Sequence, residues 1–397
     1  MTKADKEGQR KAPILRFKGF TDDWEQRKLV NIFSKIRNAF VGKVTDYYVD
    51  RGFIYLESNN IKNGGINLNT KKYINNEFYY QQKEKWLHTN DIVMVQSGDV
   101  GQTAVIPSNL NNTAAHALIM FQEIDSNINP YFLNYQFQSY RCIKQIQIIS
   151  KGNTVKHVLA SDMKEFTVFL ASLKEQINVA DFLNKLNRII DLYERKLQLN
   201  LKLYAELLKQ FIPDKNSKSI LNKINWQSIS LGKIAHLQKG KQKNRNDISE
   251  VRNDKETYPV YNGGKEKSGY TDEYNRNDSI IISEGGNSAG YVNYVAGKFY
   301  SGGHNYSIEP QNIDSSLLYL ILLRNQSRIM NLRTGSGLPN IKISSLNSFK
   351  IFIPLKNDNL YDFDKILILF TKDNNLIKDK LNKLKLIKKT LLNTMFI

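Results

Sequence analysis

The sequence predicts an α+β chain built as a tandem repeat. Two mixed, strand-rich domains are separated by two long helices that form an antiparallel coiled coil, giving a pseudo-twofold symmetric whole. Three observations predict it. One series of landmarks occurs twice in the same order, each copy ends in apolar residues at seven-residue steps, and 397 residues suffice for two domains with cores of their own.

The first landmark is a tryptophan-led module. Trp24, Leu29 and Ile32 in DDWEQRKLVNIFSKI (22–36) have the spacing of Trp226, Leu231 and Ile234 in INWQSISLGKIAHLQKG (224–240). Next, YLESNNIKNG (55–64) and YPVYNGGKEK (258–267) each place Asn and a Gly-rich turn after a short strand. DIVMVQSGDVG (91–101) and DSIIISEGGNSAG (278–290) are β-branched runs that end in small-residue loops. A lone histidine follows in each copy, His116 and His304. NPYFLNYQF (129–137) and DSSLLYLIL (314–322) read as helices opened by an Asn or Asp cap, with Pro in the first turn of one. Finally, KGNTVKHVLASDMKEFTVFL (151–170) matches TGSGLPNIKISSLNSFKIFIP (334–354). Landmarks in a fixed order indicate an internal duplication, with copies of roughly 170–210 residues.

Each copy ends in a heptad comb. In the first, Leu183, Ile190, Leu197, Tyr204 and Phe211 alternate with Leu186, Tyr193, Asn200 and Leu207. In the second, the comb is Phe363, Phe370, Ile377, Leu384 and Leu391, with the other line expected at Ile366, Asp373, Lys380 and Ile387. Two amphipathic helices packed on their own domains would give similar patterns; the length of both stripes and their equivalent places favour the coil. The first helix delivers the chain to the second domain, so a second helix paired along it must run back, antiparallel. At 1.5 Å per residue the rod is about 57 Å long, or ~1.5 turns of B-DNA. The expected organisation is a mobile tail (1–12), a first domain (13–172), a central helix (173–212), a second domain (213–355) and a distal helix (356–397).

The formal net charge is +19, which attracts polyanions, nucleic acid being the commonest. A Lys- and Asn-rich background composition would also raise it. Cys142 is the single cysteine, which excludes an intramolecular disulfide and a cysteine-based metal site, and a buried inert thiol is expected. No apolar run approaches the roughly 18 residues of a membrane span. The opening MTKADKEGQRKAP is polar without an apolar core, so no signal peptide and a cytoplasmic location are expected.

Catalytic motifs are weak. NPYF (129–132) resembles the Asn-Pro-Pro-Tyr/Phe motif of amino-methyltransferases without its second proline, and reads as a helix start. EGGNSAG (284–290) lacks the Gly-Lys-Ser/Thr ending of a phosphate loop. Neither histidine has partner ligands in view, so no metal site is expected, and no carboxylate cluster with a nearby lysine supports nuclease chemistry. A non-enzyme is the better reading.

Binding features are easier to find. LQKGKQKNRND (237–247) carries Lys239, Lys241, Lys243 and Arg245; such cations suit phosphates, although a solvated loop would look the same. Base reading needs amide and guanidinium groups on fixed backbone. The candidates in the first copy are Asn59, Asn60, Lys62 and Asn63, then Gln96 and Ser97, then Lys151, Asn153 and Lys156. In the second they are Asn262 and Lys265, with Arg333, Ser336 and Asn340 as equivalents of the last group.

PILRFKGFTDDWEQRKL (13–29), the two tryptophan-led modules and LASLKEQINVADFLNKLNRII (170–190) resemble the specificity subunit of type I restriction-modification enzymes, over nearly the whole chain. The pair Glu175-Gln176 before an apolar helix is part of that resemblance; the second copy, IPLKNDNLYDFDKI (353–366), keeps the proline without the pair. The resemblance implies two target recognition domains, each reading half of a split double-stranded DNA site, with the helical coil as the ruler of the unread spacer. It also implies two methyltransferase subunits that carry S-adenosylmethionine and the adenine methylation, and motor-nuclease subunits in the full complex. No cofactor is then expected in this chain. The rivals are a self-sufficient DNA methyltransferase or fused restriction-modification enzyme, which would need a cofactor loop and an intact motif, and a coiled-coil adaptor that does not touch DNA.

Overall fold

A computed structural model describes residues 12–152, 156–213, 224–335, 337–355 and 361–397. The expected tail up to residue 11, Asn153 and Ser336 lie outside the described residues, as does the side chain of Phe363. The chain divides into two compact units, the residues to Tyr193 together with Lys380–Ile397, and Glu194–Asp379.

In unit 1 the strands are β1 (Glu25–Lys28), β2 (Phe33–Asn38), β3 (Tyr48–Val49), β4 (Phe53–Leu56), β5 (Ile61–Lys62), β6 (Gly65–Ile66), β7 (Lys72–Ile74), β8 (Ile92–Val95), β9 (Thr103–Val105), β10 (Ala114–Ala115), β11 (Leu118–Ile124) and β12 (Thr167–Leu170). The short helices are α1 (Asn76–Gln81), α2 (Pro130–Phe137), α3 (Tyr140–Ile149) and α4 (Ala160–Lys164). The main sheet has the order β2-β11-β8-β9, and a second sheet β10-β4-β7-β3. The long helix α5 (Leu173–Phe211) begins in unit 1. Unit 2 holds β13 (Trp226–Ser230), β14 (Ala235–Lys239), β15 (Tyr258–Tyr261), β16 (Gly269–Thr271), β17 (Arg276–Ser283), β18 (Val292–Ser301), β19 (Asn305–Pro310) and β20 (Lys350–Pro354). It also holds α6 (Ser315–Arg324), α7 (Gln326–Met330), α8 (Ile343–Asn347) and the start of α9 (Tyr361–Thr394). Its sheet runs β14-β19-β17-β18-β15-β16.

The repeat seen in the sequence is a repeat of hydrogen bonds. The strand that opens each lobe pairs antiparallel with the strand that closes it: Glu25 opposite Leu170 in β1–β12, and Trp226 opposite Pro354 in β13–β20. The Leu29 N–H then donates to Phe166 O at 2.9 Å, and the Leu231 N–H to Phe349 O at 2.9 Å. The first four strands of each main sheet correspond in order, β2-β11-β8-β9 with β14-β19-β17-β18. Both predicted caps are present: Asn129 accepts from Tyr131 and Phe132, and Asp314 from Ser316 and Leu317. Thus NPYF is the start of α2. Cys142 is buried, and burial raises its thiol pKa to about 11, which keeps it protonated.

Trp24 anchors the core of unit 1, 5.3 Å from the Phe132 ring and 6.2 Å from Phe396 beyond α9. Glu175, 2% exposed, explains its own place in the sequence: it accepts from Arg16 Nε at 2.8 Å and Nη2 at 2.7 Å, and from Trp24 Nε1 at 3.3 Å. Gln176 accepts the Asn129 N–H at 2.9 Å and donates to Ala171 O at 2.8 Å. The second copy has no such pair, and the Trp226 Nε1 is left without a partner among the described residues.

Both units contain paired stretches of α5 and α9. In unit 1, Leu183 lies in one core with Leu392 and Met395. In unit 2, Asn200 Nδ2 donates to Asp373 Oδ2 at 3.1 Å, Thr371 Oγ1 bonds the Tyr204 hydroxyl at 3.2 Å, and Leu208 shares a core with Leu367. Partners fall in number as α5 rises, so the pairing is antiparallel. On α5, Leu183, Leu186 and Ile190 are buried, while Tyr193, Leu197, Asn200, Tyr204, Leu207 and Phe211 are half-buried along the same stripe. On α9 the comb Phe370, Ile377, Leu384, Leu391 faces inward, but its companion line differs from expectation. Leu367, Asn374, Leu381 and Lys388 are the inward residues, whereas Ile366 and Ile387 are each 49% exposed. The companion line is offset by four residues after each comb position, so the comb occupies the d positions rather than the a positions. Leu381→Ala is therefore expected to cost about 2–5 kcal/mol, and Ile387→Ala to stay within about 0.5 kcal/mol, in chemical denaturation of the two variants.

Candidate nucleic-acid interface

Loops at the end of the central strand carry the candidate residues in each lobe, and backbone hydrogen bonds hold them there. In unit 1, β8 runs out into Gln96–Gly98. The Val158 N–H donates to Gln96 O at 3.0 Å and the Gly98 N–H to Lys156 O at 3.3 Å, while Lys151 and His157 exchange backbone bonds of 2.8 and 2.9 Å. Gln96, Ser97, Lys151 and Lys156 thus form one cluster. The Asn59–Lys62 stretch joins it through Gln102, whose Oε1 accepts the Asn63 N–H at 2.9 Å and whose carbonyl accepts the Val95 N–H at 2.8 Å. Asn63 and Gly64 turn the chain with φ of +53° and +83°.

Unit 2 repeats the junction where β17 runs out. The Ile341 N–H donates to Glu284 O at 2.9 Å and the Gly286 N–H to Pro339 O at 2.9 Å, while Thr334 and Asn340 exchange bonds of 2.9 and 3.0 Å. The same three-way bridge therefore links 97, 151 and 157 in one lobe and 285, 334 and 340 in the other. The Lys241 N–H donates to Ser301 O at 3.0 Å, and Asn262, next to the Tyr261 carbonyl that accepts the Gly302 N–H at 2.7 Å, donates its own N–H to Ser268 Oγ at 3.3 Å. Arg333 Nε donates to Ala289 O at 2.8 Å, and Lys265 Nζ sits 5.6 Å from the centre of the Tyr291 ring.

The structure redistributes several roles. Asn60 is 1% exposed, and its side chain accepts the Glu57 N–H at 2.9 Å and donates to Asn67 O at 3.0 Å, so it shapes the loop and has no free edge for a base. Asn59, Lys62, Asn63, Ser97, Lys151, Lys156, Lys239, Lys241, Arg245, Lys265 and Asn340 are exposed, and Gln96, Lys243, Asn262 and Arg333 half-buried. The basic run divides. Lys239 donates to the buried Glu284 at 2.7 Å, which also accepts from the Tyr306 hydroxyl at 2.9 Å. Lys243 pairs with Glu273 at 2.7 Å over the Tyr300 ring. Burial opposes the Lys243 charge, but the bond to Glu273 leaves its pKa raised. Lys243 and Arg245 are not drawn into the junction by any described contact.

Equivalences shift slightly as well. Asn340 corresponds to His157, not to Lys156, and Lys151 to Thr334. The His116 N–H donates to Leu56 O at 2.8 Å as the Gly302 N–H does to Tyr261 O, so the counterpart of His116 is Gly302 and not His304. Glu284 and Tyr306 escaped sequence reasoning, because a buried carboxylate under a lysine leaves no spacing signal.

The family model for the type I restriction modification DNA specificity domain matches residues 5–202 and again 223–386. The chain belongs to this family. A protein named as a type I specificity subunit in Mycoplasma genitalium is 31% identical over 141 residues, covering 34% of this chain and 36% of that protein. A counterpart in Mycoplasma pneumoniae is 28% identical over 130 residues, covering 32% and 34%. The matched part thus spans about a third of these relatives' length (36% and 34%). The MjaIX specificity subunit of Methanocaldococcus jannaschii is 23% identical over 291 residues, covering 66% of this chain and 67% of that one. The crystal structure of an S subunit from M. genitalium has the same fold, with a TM-score of 0.71 at 19% identity over 97% of this chain and 99% of that one.

In a salt series, Lys241→Ala is expected to weaken binding to duplexes of any sequence and to lower the slope of log K against log salt by about one. Lys243→Ala is expected to move the slope far less, since Glu273 already neutralises that charge.

Proposed function

We propose that this chain is the DNA sequence-specificity subunit of a type I restriction-modification complex, in which each lobe reads one half of a bipartite site. The observation that carries the reading is the junction at 97/151/157 and again at 285/334/340. One loop architecture is built twice and decorated with different side chains: Gln96 and Lys156 at places where the other lobe has Glu284 and Pro339. Two readers of the same design with different contact residues suit an asymmetric site. The net charge of +19 supports duplex DNA as the partner.

The paired helices set the unread spacer and dock two methyltransferase subunits, which bind S-adenosylmethionine and methylate adenine; motor-nuclease subunits complete the complex in the cytoplasm. This chain supplies recognition and no catalytic group. Exposed apolar residues on both helices support docking: Phe182, Leu192 and Leu199 on α5, and Leu369, Leu376 and Leu386 on α9 are between 40% and 64% exposed. Such surface favours a protein partner.

Exchanging residues 13–170 for those of another specificity subunit is expected to change one half-site and leave the other intact, read by mapping methylated adenines in cells carrying the partners. Adding matched residues to α5 and α9 is expected to change the spacer with both half-sites constant; altered half-site bases at constant spacing would overturn the ruler.

A further inference from the structure

Within unit 1, one inward position of α9 carries a charge. Lys388 follows Leu367, Asn374 and Leu381 in the companion line, yet it ends in an ammonium. Burial lowers its pKa, with the charge of Asp191 opposing the shift. A methionine would fill the same space without desolvating a charge, so coil packing alone gives no reason for lysine here. Its contacts do. Nζ donates to Asn63 O at 3.4 Å and Gln138 Oε1 at 3.3 Å, and lies 5.9 Å from the centre of the Tyr135 ring. Tyr135 is itself fixed, its hydroxyl donating to Asn184 Oδ1 at 2.8 Å and accepting from Asn187 Nδ2 at 2.8 Å.

The Asn63–Gly64 turn is thus gripped from three sides: by Lys388 on the Asn63 carbonyl, by Asn134 Nδ2 on the Gly64 carbonyl at 2.8 Å, and by Gln102 on the Asn63 N–H. Glycine suits position 64, since its φ is +83° and a Cβ would lie 2.2 Å from Gln138 Nε2, so that the Gln138 side chain would have to shift. The corresponding turn in unit 2 is held differently, with the Gly264 N–H on Ser283 Oγ at 3.1 Å.

We propose that Lys388 is a positioning residue for base reading by unit 1: from the helical seam it fixes the Asn63–Gly64 turn, and with it the direction in which Lys62 and Asn63 are presented. The proposal rests on the DNA-reading function above and adds that part of one lobe's specificity is set by a residue of the distal helix.

The test uses the full chain purified with its methyltransferase partners, and duplexes carrying the mapped site or single-base changes in either half. Lys388→Met is expected to lower discrimination in the unit 1 half by about tenfold, the equivalent of one weakened base contact, and to leave the unit 2 half unchanged. Lys388→Arg, which keeps the donor, is expected to retain most of the discrimination. Unchanged discrimination in both halves, or equal loss in both, would overturn the proposal. If Lys388→Met does not fold, Gly64→Ala disturbs the same contact from the side of the turn, moving Gln138 and with it one acceptor of Lys388 Nζ, and the same half-selective loss is expected; its absence overturns the proposal equally. Should exchange of residues 13–170 leave both half-sites unaltered, the reading itself fails, whatever Lys388 does.

Discussion

The ladder that closes each lobe is the constraint on which the rest depends. Because β1 pairs with β12 and β13 with β20, the chain enters and leaves each lobe side by side. A lobe tied off in this way places few demands on the helix after it. The strand ends and loops between the ladder's two sides can change their side chains while that helix keeps its start. The buried carboxylate of Glu175 strengthens the closure in the first lobe, joining Arg16, Trp24 and the first turn of α5 in one set of charge-assisted bonds.

The two copies have not been held to the same standard. The first has the Glu175-Gln176 lock; the second leaves the Trp226 indole N–H without a described partner. Conversely, the second buries Glu284 beneath Lys239 and Tyr306, where the first has Gln96, whose Oε1 finds no partner among the described residues. Burial raises the Tyr306 hydroxyl pKa, and Glu284 adds to that shift, so the phenol stays a donor to the carboxylate. A duplicated scaffold therefore carries one electrostatic arrangement at the first junction and another at the second.

The repeat, the helix caps and the inward comb of both long helices are legible in the sequence because each rests on local rules: spacing, capping and periodicity. The companion line of α9 is not, for a physical reason. A comb at seven-residue steps does not say whether its neighbours stand three or four residues on, and Ile366 and Ile387 make the wrong choice look apolar. Asn60 misleads because an Asn after a strand serves a turn as readily as a base, and only burial separates the two. The equivalence of Asn340 and His157 rests on a backbone bridge made separately within each lobe, which the side chains do not announce.

Charge at the junctions is also less uniform than the composition implies. Lys239 and Lys243 are engaged by Glu284 and Glu273, and Lys151 lies 3.6 Å from Asp162. Lys62, Lys156, Lys241, Arg245 and Lys265 have no carboxylate within 4 Å among the described residues. Ions already paired inside the protein release few counterions from DNA and add little to salt-dependent affinity, whereas solvated ones add most. Of the three carboxylates only Glu284 is buried and bonded a second time, by the Tyr306 hydroxyl, so the Lys239 ammonium is the one held in place before any ligand arrives. An ammonium fixed in this way loses little further freedom on meeting an anion, whereas the solvated lysines must still be ordered.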